Sequence, residues 1–96
     1  MPLFVITCID KPGSLPVRMA TREAHLAYLK GQAGVRLGGP FLDEKGDMAG
    51  SLLVVEAADL AAAKAFSAGD PYAQAGLFAS VDIRPWNWTF NKAEGF

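Results

Sequence analysis

His25 is the chain's single histidine, and it stands in Arg18-Met-Ala-Thr-Arg-Glu-Ala-His-Leu-Ala-Tyr-Leu29. An imidazole gives and takes protons near neutral pH, so His25 is the first candidate for acid–base chemistry. At about 100° per residue the segment reads as one helix. Leu15, Met19, Leu26 and Leu29 form its apolar stripe, and Arg18, Arg22 and His25 fall within an arc of roughly 60° along the flank. Two guanidiniums beside an imidazole could bind a substrate carboxylate or phosphate. Equally, the arginines could pair with Asp10, Glu23 or Asp70, and His25 could be a border residue bonded to a backbone carbonyl.

Asp70 is the second candidate. Aspartate before Pro71 is what a helix start asks for, with the carboxylate as cap and proline in the first turn. Capping and catalysis are compatible, because a carboxylate held by amide donors is well placed to orient an imidazole. A pair of that kind suits proton abstraction, or hydrolysis through an activated water.

Other residues give weaker signals. Gly38-Gly39-Pro40 could let a substrate approach the backbone, but it lacks the spacing of a phosphate-binding loop. Ser51 opens a strand without the elbow motif of a serine nucleophile. Cys8 lies in an apolar run and reads as a small core residue. One histidine and one cysteine offer no ligand spacing for a metal ion. Trp86 and Trp88 fit an interface or a sheet edge better than a ligand platform, although lining a pocket is open to them.

These residues need elements to position them. Leu3 to Ile9 is an apolar, β-branched run ended by Asp10-Lys-Pro-Gly, a strand and a turn. Ser14 is a capping residue for a helix from Leu15 to about Gly31. Val35 to Leu42 reads as a second strand, with its two glycines marking a bulge or a close approach by another group. Ser51 to Glu56 returns as a third strand after a polar turn. Asp59 caps a helix from Leu60 to about Ala68, with Leu60, Ala63 and Phe66 inward. Asp70 opens a short turn of helix from Pro71 to Ala75, and Leu77 to Ile83 is the last strand. An aromatic extension follows, and 91–96 has the composition of a loose tail on a single domain, 1–96.

The order β-α-β-β-α-β predicts an α+β, ferredoxin-like fold, an antiparallel sheet with two helices on one face. Both sides of the first strand are apolar and the third strand is continuously so, whereas a half-solvated sheet would alternate. The bare face therefore calls for a second copy of the chain, which predicts a homodimer.

Composition bounds the rest. With 51% hydrophobic and 20% charged residues the chain reads as globular. A net charge of −1 with no basic run gives nucleic acid no electrostatic footprint. Neither a signal peptide nor the ~20 apolar residues of a membrane span is present, so a cytoplasmic protein is expected.

Taken in order, Leu3-Phe-Val-Ile, Asp10-Lys-Pro-Gly-Ser-Leu, Arg22-Glu-Ala-His-Leu-Ala-Tyr-Leu, Gly39-Pro, Gly50-Ser-Leu-Leu, Ala68-Gly-Asp-Pro-Tyr-Ala-Gln-Ala-Gly-Leu-Phe and Arg84-Pro-Trp-Asn resemble the YCII-related (YciI-like) family over nearly the whole chain. The resemblance implies a ferredoxin-like fold related to the dimeric α+β barrels. It also implies a histidine–aspartate dyad in a cleft, which here would fall on His25 and Asp70. At least one member looks like a dehydrochlorinase or lactone-type enzyme. The expectation is a small enzyme without metal or organic cofactor, doing isomerisation, elimination or hydrolysis on a small anionic or lactone-like metabolite. His25 would be base or acid and Asp70 its orienter. Arg18, Arg22, Gly39, Pro40, Ser51 and Tyr72 would line the cleft. The alternative is a non-catalytic ligand-binding or accessory module using the same cleft.

Overall fold

A computed structural model describes residues 1–93. Its elements run β1 (Leu3–Asp10), α1 (Leu15–Lys30), β2 (Val35–Leu42), β3 (Met48–Glu56), α2 (Leu60–Ala68), α3 (Pro71–Gln74) and β4 (Phe78–Trp86). The strands form one antiparallel sheet in the order β2-β3-β1-β4. This is the ferredoxin-like arrangement, and the expected fold class holds. Among the described residues no helix is long and apolar enough to cross a membrane.

The strands are longer than the sequence pattern indicates at two places. β3 begins at Met48, because Met48 and Gly50 already pair with Leu42 and Phe41 across the hairpin. β4 continues through Arg84, Pro85 and Trp86, which pair with Val5, Phe4 and Leu3. Proline is tolerated there because β4 is an edge strand and its outward side needs no N–H donor. Residues 94–96 of the expected tail lie outside the described residues.

Register settles which side chains share a face. Phe4, Ile6 and Cys8 of β1 stand opposite Val55, Leu53 and Ser51 of β3. With Ala63 of α2, the apolar members of that set form the core beneath the helices, joined at its margin by Leu29, Val35, Phe66, Phe78 and Ile83. Leu3, Val5, Thr7 and Ile9 face the other way, beside Leu52 and Val54 of β3 and Leu37 of β2. Among the described residues no helix covers that second face.

The helices correct two expectations. Leu60 of α2 is exposed, and the residues that turn inward are Ala63, Phe66 and Ser67. On α1 the leucine–methionine stripe is not the buried one: Met19 is 53% and Leu26 36% exposed, whereas Arg18 is 2% and His25 7% exposed. The helix is rotated by roughly 60° toward its polar flank relative to the orientation that its apolar residues alone would choose. Ser14 holds the N-cap position of α1 but makes no side-chain cap bond. Asp59 does cap α2, accepting from the Ala62 amide at 2.8 Å.

Candidate active site

The rotation of α1 is explained by what its polar residues meet. Arg18 Nε and Nη2 donate to Asp10 Oδ2 and Oδ1 at 2.7 and 2.9 Å, and Nη2 also donates to Ser51 Oγ at 2.8 Å. A buried guanidinium needs a charge partner and satisfied donors. The end of β1 supplies the carboxylate, and β3 supplies the hydroxyl. Burial works to lower the Arg18 pKa, but the bond and charge of Asp10 more than offset it, and the guanidinium titrates above its ordinary value.

Seven residues further along the same face, His25 Nδ1 lies 2.9 and 3.0 Å from Asp70 Oδ1 and Oδ2. The expected dyad is present as a contact. Asp70 is also a cap, as its sequence context indicates: Oδ1 accepts from the Tyr72 amide at 2.9 Å. A carboxylate can only accept, so Nδ1 carries the hydrogen, and in the neutral ring Nε2 keeps its lone pair.

Three neighbours bring Asp70 to this position. Tyr28 of α1 donates to the Phe66 carbonyl of α2 at 2.8 Å, tying the two helices together. Gly69 lies under that contact, where a Cβ would approach the Tyr28 hydroxyl to 2.7 Å. After α3, Gly76 takes φ 72°, a left-handed turn that returns the chain to β4.

Tyr72 joins the two arms. Its ring stacks on the His25 imidazole with centroids 4.0 Å apart and 18° between planes. The Arg18 guanidinium carbon lies 4.5 Å from the centroid of the same ring. Phe78 meets Tyr72 edge-on at 6.1 Å. Burial raises the phenol's pKa, with Arg18 and Arg22 pulling it back, so the hydroxyl is neutral at physiological pH and can donate.

These groups border a cavity of about 170 Å³ between α1 and the β2–β3 hairpin. Arg18, Arg22, His25, Gly39, Pro40, Ser51 and Tyr72 all line it, so every expected lining residue is brought together. Asp70 stands behind His25 and does not line it. The remaining walls are Leu26, Leu29, Gly38, Met48 and Leu53, which residue type alone did not single out.

Gly38 helps to open the space. A Cβ there would collide with Leu53 Cδ2, whereas one at Gly39 would meet nothing. The expected close approach therefore occurs at Gly38, but the bulge does not. Pairing is irregular on either side, between Val35 and Leu37 and between Phe41 and Leu42.

Several alternatives close at this point. Arg18 takes Asp10 as its ion-pair partner, and neither Glu23 nor Asp70 pairs with an arginine. Arg22 is exposed on the cavity rim and, among the described residues, forms no ion pair. Cys8 is buried in the core; burial first, then the charges of Asp70 and Asp10, push its thiol up to about 12, and it stays protonated. Trp86 and Trp88 pack on each other at 5.6 Å; they are absent from this cavity and line a separate pocket with Leu3 and Lys92, so that alternative stays open. Among the described residues no cluster of three His, Cys, Asp or Glu side chains could hold a metal ion.

Known proteins share this architecture and much of the sequence. An uncharacterized protein of Haemophilus influenzae is 38% identical over 96 residues, spanning 91% of this chain and 98% of its own. Protein YciI of Escherichia coli is 34% identical over 97 residues, spanning 92% and 99%. Among solved structures, TftG of Burkholderia phenoliruptrix is 41% identical with a TM-score of 0.81, over 88% of this chain and 93% of that one. It is a 5-chloro-2-hydroxyhydroquinone dehydrochlorinase, solved in complex with 2,5-dihydroxybenzoquinone. SnoaB, a cofactor-independent oxygenase of Streptomyces nogalater, shares the fold alone, at 14% identity and a TM-score of 0.62 over 94% of this chain and 97% of that one. The model of the YCII-related domain matches residues 2–87, and with that match and these relatives the chain belongs to the YCII-related family.

Proposed function

We propose that the protein is a small acid–base enzyme that moves a proton on a small anionic, ring-sized metabolite, without metal or organic cofactor. The observation that carries this reading is the Asp70–His25 contact at the wall of a largely apolar cavity. Asp70 accepts from Nδ1, fixes the ring and stabilises the imidazolium once it forms. Nε2 is then the atom that takes a proton from the substrate and returns it. Elimination and isomerisation both begin with that step, and the 41% identical dehydrochlorinase makes elimination the leading form. Arg22 at the rim supplies the attraction for an anion.

The same reading has the enzyme working in the cytoplasm as a homodimer, two copies packing the sheet face of Leu3, Val5, Thr7, Ile9 and Leu52 against each other. An apolar face of that extent needs a cover.

A direct test uses 2,5-dihydroxybenzoquinone in deuterated water. A ring carbon exchanges when the deuterated imidazolium adds a deuteron to the enol carbon and Nε2 then removes the proton. Proton NMR follows the loss of the ring hydrogens. The wild-type protein is expected to accelerate the exchange, and His25→Ala to lower the rate by about 10²–10⁴-fold. Equal rates with wild type and His25→Ala would remove the acid–base reading and leave a binding module.

A further inference from the structure

Ser51 has an unused hydrogen. Its Oγ accepts from Arg18 Nη2 at 2.8 Å, and that is its one hydrogen bond among the described residues. A hydroxyl carries two acceptor lone pairs and one donor hydrogen. The Arg18 contact fixes one lone pair, and among the described residues no carboxylate oxygen or carbonyl takes the hydrogen. Both oxygens of the nearby Asp10 are already engaged by Arg18. Ser51 is buried and lines the same cavity as His25. A buried donor at a cavity wall, with no acceptor among the described residues, is satisfied by what enters the cavity.

We propose that Asp10–Arg18–Ser51 is the second arm of the site, and that the Ser51 hydroxyl donates to the substrate oxygen on which negative charge develops. Ser51 is the group that touches the substrate, and Arg18 is a positioning residue held by Asp10. This rests on the acid–base reading of His25 and extends it by fixing the substrate class as a carbonyl or enol whose oxygen is conjugated to the carbon that loses the proton.

The step balances within those groups. His25 Nε2 takes a proton, the C–H electron pair moves into a new C=C bond, and the C=O π pair moves onto oxygen, where Ser51 O–H meets it. Collapse of that enolate re-forms C=O. Its C=C pair either forms a double bond to the adjacent carbon as a leaving group departs from it, or, where a further C=C is conjugated with the enolate, shifts so that the far carbon of that bond takes the proton back from the imidazolium. No oxidant or reductant is needed. A preorganised donor aimed at the developing charge is among the largest contributions an enzyme makes.

Arg18 strengthens the donor. A hydroxyl that accepts from a cation gives up its own hydrogen to an acceptor more readily, because hydrogen bonds in a chain polarise one another. The guanidinium is in turn fixed by two bonds to Asp10 and by the Tyr72 ring, so the arm needs no reorganisation when charge appears.

The test is a binding titration with 2,5-dihydroxybenzoquinone, followed by its visible absorbance, on wild type, Ser51→Ala and Ser51→Cys. Both variants are expected to bind the probe about ten- to a hundredfold more weakly, the loss of one bond to a charged group. Their exchange rates at saturating probe should fall as well. Ser51→Cys keeps nearly the same volume with a weak donor, so it carries the test if Ser51→Ala does not fold. Affinity within twofold of wild type in the cysteine variant overturns the proposal. Failure of the acid–base reading looks different: His25→Ala would exchange as fast as wild type whatever the serine variants do. A wild-type protein that does not bind the probe overturns both.

Discussion

Arg18 and His25 sit seven residues apart on one face of α1, and the ring of Tyr72 touches both, stacked on the imidazole and under the guanidinium. Two turns of helix span about 10.5 Å, enough to hold a phenol ring between the two side chains. The helix thus sends polar side chains into the protein where an amphipathic helix ordinarily sends leucines. Each meets a carboxylate, Asp10 for Arg18 and Asp70 for His25.

Replacing Asp70 with asparagine tests what the carboxylate does to the ring. Asp70 holds the hydrogen on Nδ1. An asparagine amide can donate to Nδ1 instead and move the hydrogen to Nε2. Nitrogen-15 NMR of the neutral imidazole should show the two tautomers exchanged between wild type and Asp70→Asn. Exchange on the probe should fall by about 10²–10⁴-fold with the fold intact. An unchanged tautomer would remove the orienting role.

The two arginines should separate cleanly in stability. Arg18→Ala strips a buried carboxylate of its partner, which costs about 3–5 kcal/mol. Arg22→Ala removes an exposed side chain with no ion pair among the described residues and should stay within about 0.5 kcal/mol. Urea unfolding measures both. The order should reverse for affinity at first encounter: Arg22→Ala should weaken attraction of the anionic probe, and more so at low salt.

Alkaline pH should destabilise the fold through Cys8. The folded thiol keeps its proton up to about 12 against an ordinary 9.0, because the core gives a thiolate no hydration. The folded state therefore binds that proton more tightly than the unfolded chain. The stabilisation is complete below about pH 9 and is lost as pH rises from there toward 12. Tyr72 and Tyr28, both raised from 10.0 by burial, act in the same direction. Denaturant midpoints measured across this range should fall, and the fall should be shallower in Cys8→Ala.

Val5 tests the uncovered sheet face. It stands between Val54 and Arg84 on the side without helices. Sedimentation velocity at micromolar concentration should show the wild type as a dimer and Val5→Lys as a monomer, since an ammonium set opposite Arg84 cannot be buried between two sheets. A wild-type monomer would remove the homodimer.

The element order, the helix limits and the capping roles of Asp59 and Asp70 were legible in the chain. They depend on contacts a few residues apart and on the chemistry of aspartate and proline at helix starts. The partnership of His25 with Asp70 came from family resemblance, because no local rule links residues 45 apart. The face that α1 buries was not legible. Its leucines and methionine favour one rotation, and the choice falls to Asp10, Ser51 and Asp70, which lie on other elements. The limits of β3 and β4 were hidden for a similar reason: glycine and proline oppose a strand locally, while edge position and a facing partner permit one. Sequence by itself determined which groups are available for chemistry and which segments carry them. Only the tertiary structure decided which carboxylate holds Arg18 and which holds His25, because burying a polar or charged group is settled by the partner it finds across the fold.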